Sequence, residues 1–200
     1  MATYNFPSIT PTTQTFELVT NTSQFQSPIS GAIQTLSRKG SRWKTRMTFR
    51  NLSGSDRADL QAFIAKMDGQ THRMRLEDYG RVRYGAATSP QSVLVDGAGQ
   101  TGSTINLDGA TASVTNFFKA GDYLSFNNEL HMVTGDASSD GSGDLAVSIA
   151  PPIRKPTDDN DEVQIFNPFG VFMMMNAPRW NTESSYISSI TIEAIEDVLA

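Results

Sequence analysis

The chain has no cysteine and only two histidines in 200 residues. Without cysteine there is no disulfide framework, no thiolate metal site and no thiol nucleophile. His72 and His131 do not form a His-x-x-x-His pair, so a zinc site of the usual kind is excluded as well. No stretch approaches about 18 consecutive apolar residues, the length a membrane-spanning helix requires. The opening MATYNFPSIT has neither a basic region nor an apolar core, so it does not read as a secretory signal, and folding in a cytosol is expected. Charged residues are sparse at 18% and hydrophobic ones make up 38%, both low for a helical enzyme. Abundant Thr, Ser, Asn, Gln and Gly favour strands and turns.

The net charge of −5 is unevenly spread. Residues 38–83 hold 12 Lys and Arg against 5 Asp and Glu, a net of +7. Residues 84–166 hold 3 against 11, a net of −8. A basic block beside an acidic one implies two structural units.

The strongest strand pattern is GSRWKTRMTFRNL, residues 40–52. Trp43, Thr45, Met47 and Phe49 share one face, and Arg42, Lys44, Arg46, Thr48 and Arg50 share the other. Residues 53–69 predict one helix. Ser55 is its expected N-cap, Asp56 and Asp59 lie in its first turn, and Leu60, Phe63, Ile64 and Met67 form an apolar stripe. THRMRLEDYG reads as a further strand, with His72, Met74 and Leu76 on its apolar side. Residues 1–37 read as an extended arm with one or two short strands. Residues 84–92 read as a linker.

Beyond the linker the helical period disappears. QTGSTINLDG, DYLSFNNELHMV, DLAVSI and EVQIF are short strands between turns, with Asn127-Asn128 at a hairpin tip. SSDGSGDLAVSIAPPIR contains an Asp140-Gly141 turn, then a strand expected to stop at Pro151-Pro152, because proline donates nothing to a ladder. Met173-Met174-Met175 reads as strand core. The final apolar alternation, Ile190, Ile192, Ala194, reads as a strand because of its β-branched residues.

Catalytic patterns are weak. No Gly-x-Ser-x-Gly elbow accompanies the many serines. GAGQTGST, residues 97–104, lacks the Gly-Lys-Ser/Thr ending of a phosphate loop and reads as turns. Asp158, Asp159, Asp161 and Glu162 form an acidic run that reads as a solvated loop. Its spacing lacks the glycine of a calcium loop, and nothing singles out a carboxylate pair for hydrolysis. Neither catalytic, cofactor nor metal residues are assigned. The basic face of the 42–50 strand fits two partners, a phosphate backbone or an acidic surface on a neighbouring subunit. No aromatic lies among its cations to stack bases, which favours the second.

The order of parts resembles a known family. The stretch SRKGSRWKTRMTFRNLSGSDRADLQAFIAKMDGQTHRMRLEDYG is similar to the N-terminal part of phage tail-tip proteins. FFKAGDYLSFNNELHMVTGDASSDGSGDLAVSIAPPIR, with Lys119-Ala120-Gly121-Asp122, Asp140-Gly141-x-Gly143 and Pro151-Pro152-x-Arg154, resembles their inserted domain. The family indicated is the distal tail protein of long-tailed (siphovirus-type) bacteriophages, in its short form.

The resemblance implies a mainly β fold. A β-sandwich ring and tube-docking domain with one α-helix, residues 1–87 and 167–200, would carry an inserted small β-barrel similar to the OB-fold, residues 88–166. It implies a structural virion protein at the distal end of the tail, a homohexameric ring joining the tail tube protein to the baseplate hub, with DNA passing through the lumen. No enzymatic activity, cofactor or membrane insertion is implied. Arg42, Lys44, Arg46 and Arg50 are then candidates for a subunit interface or the lumen face. The alternative is a carbohydrate-binding module, with Tyr123 and Phe126 exposed on the barrel to stack on a sugar ring.

Overall fold

The computed structural model describes residues 1–87, 91–183 and 186–198. Among these the fold is mainly β with a single helix. The elements before the insertion are β1 (Thr3–Asn5), β2 (Thr13–Val19), β3 (Thr22–Gln26), β4 (Ile33–Ser37), β5 (Arg42–Leu52), α1 (Gly54–Met67) and β6 (Arg73–Leu76). Then come β7 (Val93–Val95), β8 (Gly102–Asp108), β9 (Tyr123–Phe126), β10 (Glu129–Val133), β11 (Leu145–Ile153) and β12 (Glu162–Val163). The chain closes with β13 (Gly170–Met174), β14 (Trp180–Glu183) and β15 (Tyr186–Glu196).

A seven-stranded sheet has the order β1-β6-β13-β15-β5-β2, with β14 paired to β15. Its strands are drawn from both sides of the insertion. The alternation of β5 works as its pattern dictates: Trp43, Thr45, Met47 and Phe49 are all buried, while Arg46 and Arg50 are exposed. The helix lays Leu60, Phe63 and Met67 on the same inner face, where Phe6 bridges Phe63 and Phe49 at ring distances of 5.1 and 5.9 Å. The helix starts two residues earlier than expected. Its N-cap is Ser53, not Ser55; the cap uses no side-chain hydrogen bond, and only Asp56 is an acid of the first turn.

The insertion forms a second sheet of order β12-β7-β8-β11-β10-β9. A bridge between Ser125 and Gln164 brings its two ends together, so the sheet nearly closes into a barrel. Its core is a separate cluster that includes Phe117, Phe118, Ile105, Leu107, Val147 and Leu124. The boundary expected at residue 88 falls on residues 88–90, outside those described.

Four further expectations need correction. β11 does not stop at the two prolines but runs through them to Ile153. A register shift between Ser148 and Ile153 lets the strand pass residues that cannot donate, which is what a bulge accomplishes. The N-terminal 37 residues hold four strands rather than one or two. Of the three methionines, Met174 is buried, Met173 is half-buried and Met175 is exposed. The EVQIF strand shortens to Glu162–Val163, with Val93–Val95 as its unforeseen partner.

Candidate assembly interface

The outer face of β5 is the basic surface anticipated from sequence, yet its charge is partly answered within the chain. Glu17 on β2 lies directly opposite Lys44, and Glu193 on β15 directly opposite Arg46. The ion-pair distances are 3.5 and 3.6 Å. Arg42 faces Val19 on β2 and Arg50 faces Ser189 on β15, and among the described residues neither has a carboxylate within ion-pair distance. Thr15, Glu17, Lys44, Arg46 and Glu193 line a shallow depression on this face. Such solvated cross-strand pairs contribute about 0–1 kcal/mol each, and they halve the positive field the strand pattern alone implies.

The inner face carries a polar junction that the sequence reading did not assign. Glu196 is fully buried. One of its oxygens accepts the Leu130 backbone N–H at 2.8 Å; the other accepts the Trp43 N–H at 3.1 Å and a guanidinium N–H of Arg154 at 2.7 Å. A carboxylate of the seven-stranded sheet thus holds one strand of its own sheet and two elements of the barrel. The Trp43 indole N–H donates to the Leu130 carbonyl at 2.8 Å, closing the loop. Gly170 allows this approach: a Cβ there would lie 3.0 Å from Glu196 Oε1 and 3.1 Å from Leu130 Cβ.

Glu129 completes the cluster. It accepts the backbone N–H groups of Arg154 and Lys155, both at 3.1 Å, and lies 3.4 Å from Arg154 Nε. Buried His131 donates from Nδ1 to the Pro151 carbonyl at 2.8 Å, and its Nε2 is 3.5 Å from Glu129. Burial pushes the Glu129 carboxyl up, but His131 and Arg154 outweigh it, and the carboxyl ends below its ordinary value. Arg154 follows the same logic with opposite charge: burial works against the cation, and Glu196 and Glu129 hold it. The signal for Glu196 was present in the sequence. The alternation Ile190, Ile192, Ala194 continues onto Glu196, placing an acid on a buried face where only a partnered acid is tolerated.

The start of the presumed linker, at Tyr84 and Gly85, is also fixed. Buried Asp122 accepts the N–H groups of Tyr84, Gly85 and Lys119 at 2.7, 2.9 and 2.9 Å. A Cβ on Gly85 would sit 2.3 Å from the Phe117 carbonyl oxygen, so only glycine fits. Arg83 donates to the carbonyls of Phe117 and Ile165 and lies over the rings of Phe118 and Phe166 at 5.0 and 5.3 Å. Both the entry and the exit of the barrel are therefore gripped by one arginine.

The sugar-stacking pair is not exposed. Tyr123 packs against Trp43 and Phe16 in the sheet's core, and its hydroxyl is raised in pKa by burial and by Asp78. Phe126 stacks on His131 at 4.6 Å inside the barrel. With both rings covered, the carbohydrate reading loses its proposed platform.

Asp140 makes the expected turn, accepting from the N–H groups of Asp144 and Ser142, which hold its carboxyl below the usual range. In the acidic loop Asp161 accepts the Asp158 N–H within a turn, and Asp159 accepts the N–H of Gly97 from another loop. His72 accepts the Ala2 N–H at 3.2 Å and meets Tyr4 edge-on. Among the described residues no group of three His, Asp or Glu side chains converges to hold a metal, and no helix is long and apolar enough to cross a membrane. No protein-family model matches the chain, and no curated protein matches it in sequence.

Proposed function

We propose that this chain is a structural protein of a phage tail tip, forming a ring, most simply a hexamer, that joins the tail tube to the baseplate hub. DNA passes through the lumen, and the chain performs no chemistry. Its site of action is the distal end of the tail in the virion.

The observation that carries this reading is where the family-like motif residues sit. Asp122 of Lys-Ala-Gly-Asp secures the entry to the barrel, and Arg154 of Pro-Pro-x-Arg secures the barrel to the sheet. Residues of a binding motif would face solvent or a cleft. Both side chains are buried, Asp122 bonding the chain's own backbone N–H groups and Arg154 bonding Glu196 and the Ser41 carbonyl through one guanidinium nitrogen. They have an architectural role, and the rigid two-part body they create suits a ring subunit.

The outer face of β5 then borders the neighbouring subunit or the lumen. The test is the solution mass of the purified protein together with negative-stain microscopy. Rings with a central hole are expected, and a monomer at every concentration tested counts against the reading. In the double variant Arg46→Glu/Arg50→Glu, loss of rings with an unchanged monomer fold is expected. Rings as abundant as those of the wild type would move the interface away from β5.

A further inference from the structure

Strands β3 and β4 pair only with each other. They continue the β2–β5 hairpin past an irregular joint, where Asn21 donates to the Lys39 carbonyl and accepts the Arg38 N–H. All ten strand residues are exposed. The ribbon extends about 15 Å at the usual rise per residue. A two-stranded ribbon on its own is marginal in water.

Its composition is unusual for such a position. Residues 18–37 contain no Asp, Glu, Lys or Arg at all. Exposed edges are normally protected by charges, and these two edges have none. The ribbon also exposes large apolar side chains: Phe25 at 66%, Ile29 at 97%, Ile33 at 57% and Leu36 at 56%. The register pairs Phe25 with Gln34 and Ser23 with Leu36, so Phe25 and Leu36 are diagonal neighbours on one face. That face has no cover within the chain.

At the root the chemistry changes abruptly. Arg38 and Lys39 are exposed and, among the described residues, have no carboxylate within ion-pair distance. The complementary charge is present elsewhere in the same chain: Asp158, Asp159 and Glu162 are exposed on the barrel and, among the described residues, equally lack a cation within ion-pair distance. Two unlike patches that are complementary but unpaired within one chain describe a head-to-tail contact between copies, the kind that closes into a ring.

We infer that the 22–37 ribbon is the arm with which one copy of this chain grips the next. Phe25 and Leu36 lie against the neighbour, and Arg38 and Lys39 meet the neighbour's 158–162 loop. The inference rests on the ring reading and adds to it the element that makes the contact.

The absence of cysteine makes the test direct. Phe25→Cys gives a single thiol for an environment-sensitive fluorophore, read alongside mass by light scattering across a concentration series. A second protein, Phe25→Ser/Ile33→Ser/Leu36→Ser, is compared with the wild type. Assembly of the wild type, a blue shift of the probe in step with mass, and at least about a hundredfold weaker assembly of the triple variant are expected, since apolar anchors dominate interface energy. Circular dichroism should show the triple variant folded, because none of the three residues touches the core.

Wild-type assembly with an unmoved probe, or a triple variant that assembles normally, overturns the arm and leaves the ring reading intact. A wild type that remains monomeric at millimolar concentration removes the second-copy partner together with the ring.

Discussion

The barrel and the ribbon both extend from the seven-stranded sheet, and they are attached in opposite ways. The barrel is held by buried charge: Arg154 reaches Glu196, which also holds Trp43 and Leu130. The ribbon is held only by its own ladder and the joint at Asn21. The barrel's junction carboxylates, Glu129 and Glu196, bond only within the chain, whereas the ribbon's apolar side chains are left in water. An element whose contacts are complete within the chain positions things. An element whose contacts are incomplete is built for something outside it.

This contrast can be broken most severely at Arg154. Arg154→Met leaves Glu129 and Glu196 buried without their cation, and removal of one partner from a buried pair costs about 3–5 kcal/mol. Denaturant unfolding should report that loss. Gly85→Ala comes next, because its Cβ meets the Phe117 backbone oxygen at 2.3 Å and the hydrogen-bonded Asp122 carboxylate at 2.6 Å. Overpacking of this kind costs about 1–3 kcal/mol, and the loss should appear in the same measurement.

Acid attacks the junction more gradually. Because the folded protein holds the Glu129 carboxyl below its ordinary value of 4.5, its contribution is complete above that pH and is lost as pH falls through the lower folded value. A series of thermal melts descending from neutral pH should therefore stay flat until about 4.5 and then decline. Glu129→Gln should flatten that part of the decline. The smallest effect is expected on the ribbon. Phe25→Ser/Leu36→Ser should leave monomer stability within about 0.5 kcal/mol, as surface substitutions do. A large drop there would mean that the ribbon packs on its own body.

Much of the fold was legible because it rests on short-range pattern. The alternation in β5, β11 and β15 and the stripe of α1 required only knowledge of which neighbours share a face. The helix cap was not legible: Ser53 and Ser55 are equally suited by type, and an extended Ser53 followed by Gly54 at φ 57° decided between them. The prolines misled for a related reason. Missing N–H groups end a ladder only if no bulge absorbs them, and a bulge depends on the partner strands.

The site was half legible. The four cations of β5 were plain, but Glu17 and Glu193 come from strands distant in sequence, and only register brings them opposite Lys44 and Arg46. Glu196 was legible in principle from its parity with Ile190 and Ile192. Its cation was not, since Arg154 lies just past a proline bulge whose course the sequence does not reveal.

The place of β15 in the sheet order has a consequence for how the molecule is made. Elongation produces β1, β2, β5 and β6 first, then the whole barrel, then β13, and β15 last of all. Yet β15 occupies the middle of the sheet, between β13 and β5. Before it emerges, the nascent chain has two half-sheets with a gap between them, and the barrel has no Glu196 to rest on. Insertion of a single strand then joins the halves, buries the acid and docks the barrel in one step. The ribbon is synthesised early, but the body that would present it to another copy exists only when that strand arrives, so the arrival of β15 acts as the licence to assemble.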